Sequence, residues 1–447
     1  RKTMEQTFMK EKKILPLVLS MSMPMVLSML VNALYNIVDS YFVAKISDEA
    51  MTALSLVYPL QLLETAVAVG FGVGINAIAA FYLGAKNDRK ANDSVSVGLV
   101  LSFMHGILLM AFNLLFAPTF LRMFSKDNLV IEYGLTYTYM VFAFTVPYTI
   151  AITYEKIFQA EGQMKVSMFS MICGCVANVI LDPLMIFGIG PFPRMGIAGA
   201  ALATGIGQII PLVVYLLLYF KLKLPLKVQL RKEMFDKELC RRIYGVGVPA
   251  TLNMALPSFM ITALNGILST YGDVYVLVLG IYYKLQTFIY LTANGMVQGI
   301  RPIIGYNYGA GEYGRVKKTF FTSLRLIAGI MLAGMIICLV FCGQLMGIFT
   351  TGAETIAAGK TAIRIISMGF VVSSVSVTVS GTLEGLGKGS MSLPISLLRY
   401  LVAIIPAAYV FGKLLGADGI WNCFWFAETA AAIVAWILYK KEEQKMK

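Results

Sequence analysis

Charge is scarce in this chain. Charged residues are 14% of its 447 positions, against roughly a quarter in soluble domains, while 58% are hydrophobic and the mean hydropathy is +0.75. That deficit excludes an ordinary water-facing surface and places the chain in lipid. Histidine occurs once, as His105 inside an apolar run, and the six cysteines include no CxxC pair. Cys173, Cys175, Cys338 and Cys342 also lie in apolar runs, so cysteine reads as a packing residue, neither disulfide nor metal ligand. His105 reads as a packed side chain. Without a metal set or a nucleophile with its acid and base, a membrane-embedded enzyme is a weak alternative and no cofactor is expected. Alternating ten-residue segments are missing too, which excludes a β-barrel. The basic start leads into an apolar run too long for a cleavable signal.

What the sequence has in quantity is long apolar runs. Cutting at charge and turn clusters leaves twelve, near 14–44, 52–83, 94–117, 130–158, 166–188, 196–220, 240–270, 275–307, 319–341, 356–384, 392–412 and 419–439. A helix needs about 20 apolar residues to cross the hydrocarbon core, and only helices satisfy their own backbone there. Lys and Arg number 25 on the side holding both termini and 5 on the other. This bias predicts cytoplasmic termini, and it accounts for the net charge of +13 without nucleic acid.

A shift of 225 residues superposes Pro24 on Pro249, Gly70 on Gly295, Gly74 on Gly299, Gly84 on Gly309, Gly162 on Gly387 and Ser167 on Ser392. One register through both halves implies a duplicated six-helix unit. The expected fold is an all-α membrane protein of twelve transmembrane helices in two pseudo-symmetric lobes, 1–225 and 239–447, joined by a basic cytoplasmic linker, 226–238.

Carboxylates inside apolar runs are costly and therefore candidates for function. Asp39 shares one face of the first span with Asn36, Tyr35 and Asn32, at helical spacing. Asn178 and Asp182 stand at i, i+4 in the fifth span, just before Pro183. Asp39 and Asp182 lie at a similar distance from the same end of their spans, so they can meet in one cavity. Two adjacent carboxylates in low dielectric cannot both ionise cheaply, which makes the pair a proton carrier. The bland alternative is that each carboxylate satisfies a neighbouring amide or a backbone group freed at Pro183. Gln61, Glu64 and Glu155 are further polar candidates in the first half, whereas Glu161 reads as a solvated loop charge. The second half lacks the pair, since the 225 shift puts Leu264 and Ala407 opposite Asp39 and Asp182. It offers Lys284, Gln286, Gln298 and Arg301 instead, the cations either snorkelling or pairing with Glu384. Tyr35, Tyr139 and Tyr282 supply π faces for a cationic substrate.

Ser22-Met-Pro24, the stretch from Gly72 to Gly84-Ala85-Lys86, Gln159-Ala-Glu-Gly162, Asn178 to Gly188 and Gly196-Ile-Ala-Gly-Ala-Ala201 occur in an order that resembles the MATE (multidrug and toxic compound extrusion) transporters over essentially the whole chain. The resemblance implies two six-helix bundles forming a V and efflux of small organic, cationic compounds by antiport through alternating access. It implies a monomer in the cell membrane that needs only a coupling ion. It assigns Asp39, Asn178 and Asp182 to the first-lobe carboxylate site of DinF-like members, coupled to H⁺ or, as the alternative, to Na⁺ at the same residues. Glu155 looks like the acid of the MepA-like members. The acidic positions of the NorM-like pattern are here Pro257 and Ser373, which argues against a second-lobe ion site. A lipid-linked saccharide flippase of the same superfamily is the rival, and it would favour fourteen spans and a more cationic cavity.

Overall fold

A computed structural model describes residues 2–446, with side chains from residue 7; Arg1 and Lys447, both counted in the charge balance, lie outside. Eleven unbroken helices are long and apolar enough to cross a membrane: α1 Ile14–Ala44, α2 Asp48–Gly84, α3 Asp88–Phe124, α4 Asn128–Ala160, α5 Met164–Phe187, α6 Ile197–Lys221, α7 Lys237–Ser269, α8 Asp273–Gly309, α9 Tyr313–Val340, α11 Gly389–Leu415 and α12 Ala417–Lys445. The twelfth, α10, is bent by 52° between Ala353–Ser367 and Phe370–Gly385. The twelve spans of the charge-and-turn reading are therefore present among the described residues. At ~1.5 Å per residue the 37-residue helices α2, α3 and α8 exceed what the hydrocarbon core requires. Short polar turns end them: Ser47 accepts from the Ala50 amide and Asn87 from the Lys90 amide, both at 3.1 Å. Gly162 and Gly387, related by the 225 shift, take the same left-handed conformation at φ 79° and 74°.

The chain forms two compact units. One runs from Leu27 to Thr251; the other combines Thr3–Val26 with Leu252–Lys447. Both boundaries fall inside spans, α1 and α7, and they are themselves 225 residues apart. The duplicated glycines explain the exchange of helix ends. In lipid no hydrophobic force pulls helices together, so small residues must let backbones approach. On α2, a Cβ added at Gly70 would come within 2.6 Å of Thr251 Cα on α7. On α8, one added at Gly295 would come within 2.7 Å of Val26 Cα on α1. Gly74 and Gly299 make the next contacts along, against Gly247 and Ser22. Each repeat thus seats the first part of the other repeat's first helix.

The basic linker is strapped to the first unit. The amides of four successive residues, Leu226 to Gln229, donate to Glu161 Oε1 (2.7 Å), Asn92 Oδ1 (2.7 Å), Tyr219 Oη (2.7 Å) and Ser96 Oγ (2.8 Å), and Arg231 reaches Asp93 Oδ1 at 3.1 Å. Glu161 is therefore not the solvated loop charge that its position suggested. It is 6% exposed, and its Oε2 has no partner among the described residues. Burial pushes its carboxyl up to about 8, against the opposing Leu226 amide.

Gly70→Leu and Gly295→Leu should each lower the thermal unfolding midpoint in detergent, an overpacking cost of about 1–3 kcal/mol. Gly266→Ala, where an added Cβ meets nothing within 4 Å, should leave the midpoint level or raise it. Equal midpoints for all three would remove the glycine seats from the account. For Glu161, the neutral form is the one the fold favours. Its contribution is complete below the ordinary glutamate value near 4.3 and is lost as pH rises through about 8. Hydrogen exchange at the Leu226 amide, corrected for intrinsic rate, should lose protection across that window, and Glu161→Gln should abolish the pH dependence. Protection that is flat with pH in the unaltered protein would contradict this.

Candidate functional site

In the first unit, α1 and α5 bring Asp39 and Asp182 together. Each lies five residues before the end of its helix, Ala44 or Phe187, or about 7 Å along the axis. Their carboxyl groups stand within hydrogen-bonding reach of one another. Asp39 is 8% exposed and Asp182 fully buried. Neither oxygen of Asp182, nor Oδ1 of Asp39, has a donor among the described residues. The bland alternative, a carboxylate satisfied by a neighbouring amide, does not describe this arrangement. Two acceptor oxygens attract one another only when one of them carries a proton.

The packing that places Asp182 is specific. α5 continues through Pro183 to Phe187 and stops at Gly188, which is left-handed at φ 71°. α6 comes close because Gly207 has no side chain: an added Cβ would sit 3.0 Å from Asn178 Cβ. Asn178 is buried there and its Nδ2 points to Thr204 Oγ1 at 3.5 Å, while its Oδ1 has no donor.

Tyr137, on α4, is the residue that the sequence reading missed. It is 1% exposed, lies beside Asp39, Asp182 and Thr204, and its hydroxyl accepts from Gln61 Nε2 at 3.3 Å. Tyr139, chosen from sequence as a π surface, is 47% exposed on the other side of the helix. A two-residue step turns a helix by roughly 200°, so the aromatic pair was visible but its inward member was not. Tyr35 lies in the neighbourhood of Asp39, Tyr137, Tyr148 and Cys175. Asn36 instead turns back on its own helix, donating to Asn32 O at 2.9 Å.

Further along the unit, Glu64 is buried beside Thr145, and Tyr148 lies near both Glu64 and Glu155 and donates to Thr65 Oγ1 at 3.4 Å. Glu155 is buried, but it is not alone. Lys156 Nζ sits 2.9 Å from its Oε1 and 3.1 Å from Gln159 Oε1, while Gln159 Nε2 donates to Glu155 at 2.8 Å. Buried polar groups thus follow one another from the Asp39–Asp182 pair to the Ala160 end of α4, and only the last acid carries its own cation. His105 does pack as a side chain, with Nε2 2.8 Å from Tyr244 Oη.

Tyr282, Gln286 and Gln298 belong to the second unit. Tyr282 is buried against Phe424, Gln298 is half-buried, and Gln286 Oε1 has no donor. Arg301 pairs with Glu384 at 2.7 Å, and Lys284 stays exposed, with Nζ 5.8 Å from the Phe349 ring. A second ion pair was not singled out from sequence, although both of its members fall inside apolar runs. Arg399, on a π-helical turn of α11, grips Glu428 of α12 through three contacts of 3.0–3.2 Å. The rings of Tyr400 and Tyr290 lie 5.1 and 6.0 Å from its guanidinium, and Tyr290 Oη meets Ser373 Oγ at 2.8 Å. π turns concentrate at functional positions in helices. Among the described residues no three His, Cys, Asp or Glu side chains converge as metal ligands.

The MatE family profile matches residues 24–184 and again 249–410, two matches in the 225-residue register. The multidrug export protein MepA of Staphylococcus aureus (strain MSSA476) is 25% identical over 437 residues, covering 97% of this chain and 95% of that protein. MepA of Staphylococcus haemolyticus is 25% identical over 433 residues, 96% and 94% of the two chains. Among solved structures, an outward-facing multidrug resistance MATE transporter of the MOP superfamily has a TM-score of 0.93 at 23% identity, over 99% of this chain and 98% of that one. A MOP superfamily transporter from Pyrococcus furiosus has a TM-score of 0.92 at 22% identity, with the same coverage. The duplicated six-helix fold and the double profile match lead to one conclusion: this chain is a multi-pass membrane transporter and belongs to the MatE family.

Proposed function

We propose that the chain exports small organic cations across the cell membrane as a monomer, by alternating access of its two halves, residues 1–225 and 239–447, in exchange for an inward-moving proton. The observation that carries the reading is the buried Asp39–Asp182 pair, in which Asp39 Oδ1 and both oxygens of Asp182 have no donor among the described residues. Such a pair holds a proton readily and gives it up to a cation. Proton and cationic substrate therefore compete for one negative site, and a ligand shifts the inward–outward balance by its differential affinity. The relatives named for multidrug export support the substrate class. The buried polar groups from Tyr137 to Glu155 support access to the pair from the other end of the unit. The excess of Lys and Arg on one side supports cytoplasmic termini.

Adding tetraphenylphosphonium to purified protein, lightly buffered between about pH 6 and 8, should release up to one proton for each cation bound. Asp39→Asn and Asp182→Asn should abolish the release and, in vesicles, dye export driven by a pH gradient, while the proteins stay folded, because the amide keeps the size but cannot titrate. Tight cation binding without proton release would point to Na⁺ at Asp39, Asn178 and Asp182, or to a substrate site elsewhere. The orientation has its own test. Glu233→Cys, on an exposed stretch of the linker, should be labelled in intact cells only by a membrane-permeant maleimide, and labelling by an impermeant one would reverse the topology.

A further inference from the structure

A groove of about 320 Å³ in the second unit is lined by Ile14 of α1 and by Lys317, Lys318, Phe321, Thr322 and Arg325 of α9. The five α9 positions share one face of the helix. Lys318 and Arg325 are exposed and Lys317 half-buried. None of the three cations makes a hydrogen bond, an ion pair or a ring contact among the described residues. The nearby carboxylate is already taken: Glu443 holds Lys440 at 2.7 Å, and Lys440 in turn lies 5.7 Å from the Phe321 ring. Three free positive charges therefore line a groove together with the apolar side chains of Ile14 and Phe321.

The depth of the groove follows from its neighbours. Phe320 stacks on Tyr439 with centroids 3.6 Å apart, and Phe321 meets Trp436 at 6.4 Å. Tyr and Trp gather where hydrocarbon gives way to water. Arg325 stands about 12 Å further along α9 than Lys317, just before the uninterrupted apolar run 326–341. A water-soluble anion would have no reason to reach it there. A lipid phosphate would, with its chain lying along Phe321 and Ile14.

We propose that this groove binds the phosphate head of an anionic glycerophospholipid, with Lys317, Lys318 and Arg325 supplying the charge and Thr322 a hydroxyl donor. Basic pockets between membrane helices have the chemistry for such heads. The shared chemistry is a phosphate monoanion, so the test separates lipid from free ion.

Purified full-length protein in a zwitterionic detergent is titrated with phosphatidylglycerol, with phosphatidylcholine of the same chains and with inorganic phosphate, reading bound lipid by native mass spectrometry and the thermal unfolding midpoint. Phosphatidylglycerol should be retained and should raise the midpoint, and the other two should not. The triple variant Lys317→Gln, Lys318→Gln, Arg325→Gln should weaken phosphatidylglycerol by at least about tenfold, whereas Lys317→Arg with Lys318→Arg should keep it. Arg325→Gln alone carries the same test should the triple variant unfold early. An equal response to phosphatidylcholine, unchanged affinity in the Gln variants, or a shift reproduced by inorganic phosphate would each overturn the assignment.

Discussion

Close backbone approach at four glycines is the constraint on which the rest of this structure depends. Gly70 and Gly74 on α2 receive α7, and Gly295 and Gly299 on α8 receive α1, at distances that leave no room for a Cβ. Because lipid gives packed helices no hydrophobic advantage over separated ones, these contacts must come from shape. They decide which helix each unit borrows, and so where α1 runs beyond Val26. Asp39 lies on that second stretch of α1, inside the first unit, where it meets Asp182.

The duplicated scaffold carries unequal charge. In the second unit, Glu384 has Arg301 and Glu428 has Arg399. In the first, Asp39, Asp182 and Glu64 have no cation among the described residues. A paired carboxylate in a membrane is neutralised by its partner and stays that way, since separating the two leaves a buried charge. An unpaired one has no such partner and is favoured in its neutral, protonated form. The two units share a plan, but among the described residues Asp39, Asp182 and Glu64, buried carboxylates without a cation, lie in the first.

Spans, their number and the repeat were legible in the sequence because each is a property of the one-dimensional string: length of apolar run, spacing of turns, constant offset. Asp39 and Asp182 were legible for a related reason, as a carboxylate in an apolar run is conspicuous whatever its surroundings. What was not legible depends on which way a helix faces. Tyr137 and Tyr139 are equivalent as letters, and only rotation of α4 separates them. Glu161 sits in a turn and reads as solvated; four consecutive linker amides docking on the first unit bury it. Lys156 looks like a positive charge near a helix end, yet it folds back on Glu155. Arg399 and Glu428, 29 residues apart, could be joined only once α11 and α12 were placed side by side.

The exchanged helix ends also bear on how the chain is made. The first unit is completed by residues up to Thr251, and the second takes its first helix segment from Thr3–Val26, a stretch synthesised before any helix of the first unit. A nascent chain that has inserted six helices therefore has an open cleft on α2, and an early segment of α1 whose own seat, on α8, does not yet exist. Neither half can finish by itself as it leaves the ribosome. Assembly must wait until α7 and α8 have entered the bilayer, and then both units close within a few helices of each other.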